Sequence, residues 1–265
     1  MLLAIDVGNT NTVFAAYRGR ELVGQWRLSP NRGRTAEEYA AALLQLMSLK
    51  GVSQNEVEAV MISSVVPQAV IPLRWMSRDF FNCRAVVVGE DLEFPIKVDL
   101  VNPKEVGADR VVNAVAAKKR YACPLIIVDF GTATTFDVVN DAGDYCGGVI
   151  APGINLSLEA LHHAAARLPR VAVEPPEKVI GNSTVTAMQS GVFWGYMGLI
   201  EGLVARIQEE YGTPMTVVAT GGLAPLFARR CAAIHHLDRD LTMAGLLEIY
   251  ELGQDVIRGR REQGS

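Results

Sequence analysis

The chain has 265 residues, 49% hydrophobic and 20% charged, which supplies apolar mass for one large or two modest domains and excludes a disordered chain. A formal net charge of −4 gives no electrostatic ground for expecting nucleic acid or an anionic membrane as the main partner. Cys83, Cys123, Cys146 and Cys231 are scattered and form no CxxC or Cys/His cluster, so neither a zinc site nor a disulfide framework is expected, only thiols in a reducing cytoplasm.

Leu2 to Ile5, Thr12 to Tyr17 and Glu21 to Leu28 predict three short strands in an antiparallel meander, with turns at Gly8 and at Arg18-Gly19-Arg20. Thr35-Ala-Glu-Glu38 is a capping box, and Tyr39, Leu43, Leu44 and Met47 follow at helical spacing until Gly51. The β-branched runs Val57 to Val65 and Ala85 to Val88 flank an expected helix from Gln68 to Phe80. Asn102-Pro103 is expected to open another helix, ending in Lys118-Lys119-Arg120.

Then the opening pattern returns. Placing Asp6 on Asp129 aligns Ile5-Asp6-Val7-Gly8 with Val128-Asp129-Phe130-Gly131, and at constant spacing Thr12-Val13 with Thr135-Phe136. The second copy again reads strand, polar turn, strand, NDAGD turn, strand. Helical stretches are expected near Leu156 to Ala165 and Val185 to Tyr211. A late strand ends at Thr220-Gly221-Gly222, LTMAGLLEIYEL forms a last helix, and Arg258 to Ser265 form a polar tail. The repeat divides the chain into domains 1–120 and 121–265, and two such domains facing one another would leave a cleft of the kind ligands favour. His162-His163 and His235-His236 are adjacent pairs whose side chains diverge, and both are read as structural. The first residues are too few and too early charged for a signal peptide, and no apolar run reaches membrane-spanning length.

A turn carrying Gly with several Thr or Asn residues can direct N–H and hydroxyl donors to one point, where phosphate oxygens are good acceptors. A carboxylate at the strand end repels bare phosphate but suits a metal ion or metal-bound water. Asp6 and Asp129 equally suit the bracing of their own hairpins; their recurrence at matching positions favours two jaws on a polyphosphate. GxxxxGK[ST], GxGxxG and GxSxG are all missing, so P-loop, Rossmann and serine-hydrolase readings fail. Phosphoryl transfer to an alcohol also needs a proton acceptor. Glu105 at the third position of a helix from Asn102-Pro103 is read as a capping residue. Gly107-Ala108 make a thin surface for a substrate. Asp109 beside them is either the base, with Arg110 available for an anionic group, or the N-cap of a helix starting at Arg110.

The motifs DVGNTNT (Asp6 to Thr12), EVGADR (Glu105 to Arg110), DFGTATTFD (Asp129 to Asp137), GGVIAPG (Gly147 to Gly153), AMQSG (Ala187 to Gly191) and TGG (Thr220 to Gly222) resemble, in order, those of the type III pantothenate kinases. That family sits within the actin, Hsp70 and sugar-kinase superfamily. DxGxT is shared by the whole superfamily, whereas EVGADR followed by DFGTATT is specific. The resemblance implies an α/β fold of two duplicated RNase H-like domains and ATP-dependent phosphorylation of the primary hydroxyl of pantothenate to 4'-phosphopantothenate, the first step toward coenzyme A. By the same resemblance Asp6, Val7, Gly8, Asn9, Thr10, Asn11, Thr12 and Val13 form the first phosphate loop, Thr132 touches ATP, bound with Mg2+, and Asp129 holds a monovalent cation, K+ or NH4+. Asp109 becomes the proton acceptor, and Gly107, Ala108, Arg110 and Thr184 line the pantothenate pocket with it. The resemblance also implies a homodimer served by the stretch from Thr184 to Tyr211. Two positions depart from the family pattern: Leu100 stands where many relatives carry a Tyr that packs on pantothenate, and Asn182 where many carry a basic residue. The competing reading is a non-catalytic accessory or transcriptional regulator on the same fold, against which the retained Asp6, Asp109 and Asp129 argue.

Overall fold

A computed structural model describes residues 1–31, 33–164 and 168–254. The chain forms two compact units, one of Met1–Lys119 joined by the segment from Leu241 onward, the other of Arg120–Asp240.

In the first unit β1 (Leu2–Val7), β2 (Thr12–Arg18) and β3 (Glu21–Leu28) form the antiparallel meander. After α1 (Ala36–Leu49), β4 (Ala59–Ser64) joins β1 in parallel, and after α2 (Pro67–Phe81), β5 (Ala85–Val87) joins β4, giving the order β3-β2-β1-β4-β5. The Thr35 box is formed as read: its side chain accepts from the Glu38 N–H, and the Glu38 carboxylate accepts from the Thr35 N–H at 2.9 Å. Leu3, Ile5, Phe14, Tyr39, Leu43, Leu73 and Met76 build the core between sheet and helices. Every residue of β1 is buried except the partly exposed Asp6. That is why the strand reads as an unbroken apolar run, since a strand covered on both faces does not alternate. α3 (Ala108–Arg120) closes this part of the chain, with Val111 to Ala117 all buried.

The second unit repeats the plan. β6 (Leu125–Phe130), β7 (Ala133–Val139) and β8 (Tyr145–Pro152) form a meander. α4 (Ile154–Ala164) and the 28-residue α5 (Thr184–Tyr211) lead to β9 (Thr216–Gly221), parallel to β6, and α6 (Ala224–Ala228) leads to β10 (His236–Leu237), parallel to β9. The order β10-β9-β6-β7-β8 is the first sheet read backwards, so the duplication holds strand for strand. α6 and β10 are too short for periodicity to have shown them. Ala165, and the tail Arg258 to Ser265, lie outside the described residues.

Constant spacing does not survive the first turn. Asp6 lies opposite Val13, but Asp129 lies opposite Thr135; Gly8 N–H closes its turn on Asn11 O at 2.9 Å, while Gly131 N–H closes on Ala133 O at 3.0 Å. The second turn is one residue shorter. Thr12-Val13 therefore correspond to Thr134-Thr135 rather than to Thr135-Phe136, and Phe14 and Phe136, both fully buried, are the true counterparts.

The last helix, α7 (Leu241–Leu252), packs on β1 and β4 of the first unit, so the compact units differ from the expected 1–120 and 121–265 in their last segment. Arg20 in the β2–β3 turn pairs with Glu248 and Glu251, and Thr242 Oγ1 donates to Asn113 Oδ1 of α3 at 2.7 Å. Gly245 lets α7 approach α3: a Cβ there would stand 2.2 Å from Val112 O. Backbone cannot swing aside as a side-chain tip can. Gly245→Ala is therefore expected to lower the stability of the first unit by about 1–3 kcal/mol through overpacking, read as a lower urea midpoint. An unchanged midpoint would show that the two helices part without cost.

Candidate active site

The run before α3 is broken into two pieces. Pro103–Glu105 make a single 3-10 turn capped by Asn102, whose Oδ1 accepts from Lys104 N–H and whose Nδ2 donates to Glu105 Oε1 at 2.7 Å. Val106 is extended, and α3 starts afresh at Ala108. The continuous helix expected from Asn102-Pro103 is thus corrected. Glu105 is an exposed capping partner of its own short turn. Gly107 lies just before α3 and not within it, so no helix-propensity cost attaches to it. Asp109 is the second helical residue and not a cap before Arg110.

Gly107 leaves room for a specific side chain. A Cβ on it would fall 2.6 Å from Asp109 Oδ1 and 3.4 Å from Val65 Cγ1. Asp109 Oδ1 accepts the Arg110 N–H at 2.8 Å, which fixes the carboxylate beside Gly107. Burial pushes the Asp109 carboxyl above its ordinary range, more than the Arg110 N–H and guanidinium pull it back. The result is a carboxylate more basic than one in water.

Val65 ties this loop to the first glycine turn. Its N–H donates to Val7 O at 3.1 Å, at the end of β1, while its side chain meets the Gly107 position. Val7, where the first glycine turn begins, and Gly107, just before α3, thus share Val65 as a neighbour within the first unit. Asn9 and Thr10 form the exposed tip of the turn, Gly8 and Asn11 are half-buried, and Thr12 is buried in the ladder. The Gly8 N–H is spent closing the turn, so donors for a ligand come from the tip. Asp6 stands in register with Val13 and Ser63, and the Ser63 hydroxyl is fully buried with no hydrogen-bond partner among the described residues.

Asp129, Thr132 and Thr184 belong to the second unit. Gly221, with φ +91°, brings the end of β9 against the carboxylate: a Cβ there would lie 2.5 Å from Asp129 Oδ1 and 2.7 Å from Phe130 N. Gly153, after β8, lies against the turn itself, where a Cβ would stand 2.1 Å from Thr132 O. Thr132 is exposed at the tip. Thr184 is exposed as the first residue of α5, behind the capping pair of Ser183 and Thr186. Asn182 is exposed beside it and Leu100 is half-buried in the first unit. The histidine pairs have local partners: His162 Nδ1 lies 2.7 Å from Leu168 O, and His235 Nδ1 accepts from Val217 N–H at 2.9 Å. Val65 was missed in the sequence, since a valine after a strand carries no chemical signal. Gly153 sat inside a quoted motif without a stated task.

The type III pantothenate kinase family model matches residues 2–206. A type III pantothenate kinase from Paramagnetospirillum magneticum is 57% identical over 260 residues, covering 98% of this chain and 100% of that one. Two solved structures are similar at the level of fold. One is a conserved protein from Campylobacter jejuni assigned to the Baf family of transcriptional activators, with a TM-score of 0.61 at 20% identity over 96% of this chain and 99% of that one. The other is MreB 5 of Spiroplasma citri bound to AMPPNP, with a TM-score of 0.52 at 11% identity over 100% and 98%. They place the duplicated sheets in the fold of the actin, Hsp70 and sugar-kinase type. From its motif order and from matches running along nearly all its length, this chain belongs to the type III pantothenate kinase family.

Proposed function

We propose that the chain transfers a phosphoryl group from ATP to the primary hydroxyl of pantothenate, giving 4'-phosphopantothenate, with Asp109 as general base. The observation that supports this most is the meeting, through Val65, of a burial-raised carboxylate with a glycine turn able to hold phosphate. As the pantothenate oxygen forms its bond to the γ-phosphorus, the bridging bond to the β-phosphate breaks, ADP leaves, and the hydroxyl proton passes to Asp109. In this reading Gly107, Ala108 and Arg110 line the acceptor pocket with Asp109, Thr184 contributes to it, the turn Asp6 to Val13 holds phosphate oxygens, and Thr132 touches the nucleotide. Mg2+ on the nucleotide fits Asp6, because the Ser63 hydroxyl, without a hydrogen-bond partner among the described residues, stands in the same row.

A monovalent cation, K+ or NH4+, fits Asp129. No three His, Cys, Asp or Glu residues cluster as a metal site among the described residues, and beside the Asp129 carboxylate the Gly221 backbone leaves a cradle that a Cβ would fill. When bound, that ion supplies positive charge beside the nucleotide phosphates. Asp129→Ala is expected to flatten the dependence of turnover on added potassium; a response equal to the wild type would remove Asp129 from that role. The reading extends to a homodimer using α5, checked by sedimentation, and to a cytoplasmic enzyme, in keeping with Cys83, Cys123, Cys146 and Cys231 standing as thiols rather than disulfides. No described helix is long and apolar enough to cross a membrane.

The direct test incubates the protein with γ-labelled ATP and a panel of acceptors: pantothenate, acetate and sugars. Label on pantothenate alone supports the proposal; label on another acceptor assigns a different kinase, and label on none restores the regulator reading.

A further inference from the structure

The two sheets differ in one row of side chains. Asp129 on β6 lies opposite Thr135 of β7 and, on its other side, opposite Thr220 of β9. Register partners share a face, so two hydroxyls flank the carboxylate. Two residues further along β7, on the same face, Asp137 is completely buried. Its Oδ2 accepts from Thr135 Oγ1 at 3.0 Å and its Oδ1 from Tyr145 Oη at 2.9 Å. At the corresponding places of the first sheet stand Val13, Ala15 and Leu22. The fold is therefore built once without the polar groups of Thr135, Asp137 and Tyr145, while Ser63 stands beside Asp6 as Thr220 does beside Asp129. A buried carboxylate is costly even when hydrogen-bonded, so a second sheet that carries one calls for a reason beyond architecture.

The reason lies in the polarity of a hydroxyl. Thr135 has one proton, and its hydroxyl directs it to Asp137 Oδ2. What Thr135 Oγ1 then presents elsewhere is lone pairs alone. An alkali cation needs oxygen lone pairs, and an ammonium ion needs acceptors for its N–H groups. We propose that Thr135 is a ligand of the monovalent cation beside Asp129, and that Asp137, held by Tyr145, is the positioning residue that turns the Thr135 hydroxyl into a pure acceptor. The first sheet, with Val13 beside Asp6, has no equivalent acceptor, which gives the two glycine turns different ions. This rests on the assignment of the cation to Asp129.

The test follows the thermal midpoint of the full chain, with a non-hydrolysable ATP analogue, as KCl replaces tetramethylammonium chloride at constant ionic strength. The wild-type midpoint rises with potassium to a plateau, defining a half-effect concentration. In Asp137→Asn an amide N–H can donate to Thr135 and turn its proton outward. That variant and Thr135→Val are each expected to raise the half-effect concentration about tenfold or more, the usual effect of losing a residue that orients a metal ligand. Thr135→Ser restores it. Tyr145→Phe, which removes a single hydrogen bond, gives a smaller rise and serves if Asp137→Asn fails to fold. A purely structural role would lower every midpoint without moving the half-effect concentration, and that outcome overturns the proposal while leaving Asp129 in place, provided Asp129→Ala abolishes the response. A wild type indifferent to potassium would overturn both.

Discussion

Asp109→Asn is expected to lower kcat by about 100-fold or more while ATP still binds, the range for loss of a general base. The amide keeps the shape, and its oxygen can still accept the Arg110 N–H, so geometry is preserved and only proton affinity is lost. Wild-type activity should fall as pH drops through the raised pKa of Asp109, with an acid limb above that of an ordinary carboxylate. Stability should move oppositely. The folded protein holds the Asp109 proton more tightly than the unfolded chain does, so between the ordinary and the raised value wild-type stability falls as pH rises. At neutral pH the variant should therefore melt above the wild type, and the advantage should vanish below the ordinary carboxylate range. Normal turnover in the variant would end the role of Asp109; a melting difference independent of pH would show that burial does not penalise its charge.

Gly107→Ala is expected to cut kcat by about 10- to 100-fold with little change in thermal midpoint, because misplacing a catalytic group by an ångström costs on that order. The added methyl would sit 2.6 Å from Asp109 Oδ1, and the carboxylate is the part able to move. It would swing off the Arg110 N–H and away from the acceptor. Val65 Cγ1 at 3.4 Å restrains the methyl from the other side. Since the loss is one of orientation, it should appear in kcat with the KM for ATP kept. Wild-type kcat in this variant would mean that the carboxylate has a second productive position.

Much of the fold was legible because it is encoded locally. The Thr35 box and LTMAGLLEIYEL mark helix ends and a helix wherever they fall in space. The recurrence of Ile-Asp-Val-Gly as Val-Asp-Phe-Gly exposed the duplication, since one local design was used twice. The candidate site was legible in its residue types for the same reason: turns and carboxylates carry their chemistry in their composition. The start of α3 was not, because Pro103 suits the first position of a 3-10 turn as well as of an α-helix. Nor was the shortened second turn, since matching threonines hides a deletion of one residue.

Sequence by itself determined the two sheets, the family, and the carboxylates Asp6, Asp109 and Asp129 as the places to look, all of it carried by neighbouring residues and spacing. Tertiary structure alone decided that α7 closes the first unit: its residues from Met243 to Ile249 are buried nearly all round, and an apolar helix does not state which sheet it will cover. It also decided that Asp109 is desolvated, that Val65 joins its loop to the glycine turn, and that Thr135 gives its proton to Asp137. Each of these depends on distances between groups far apart along the chain or on opposite strands, and desolvation and hydrogen-bond direction arise only once those groups have met.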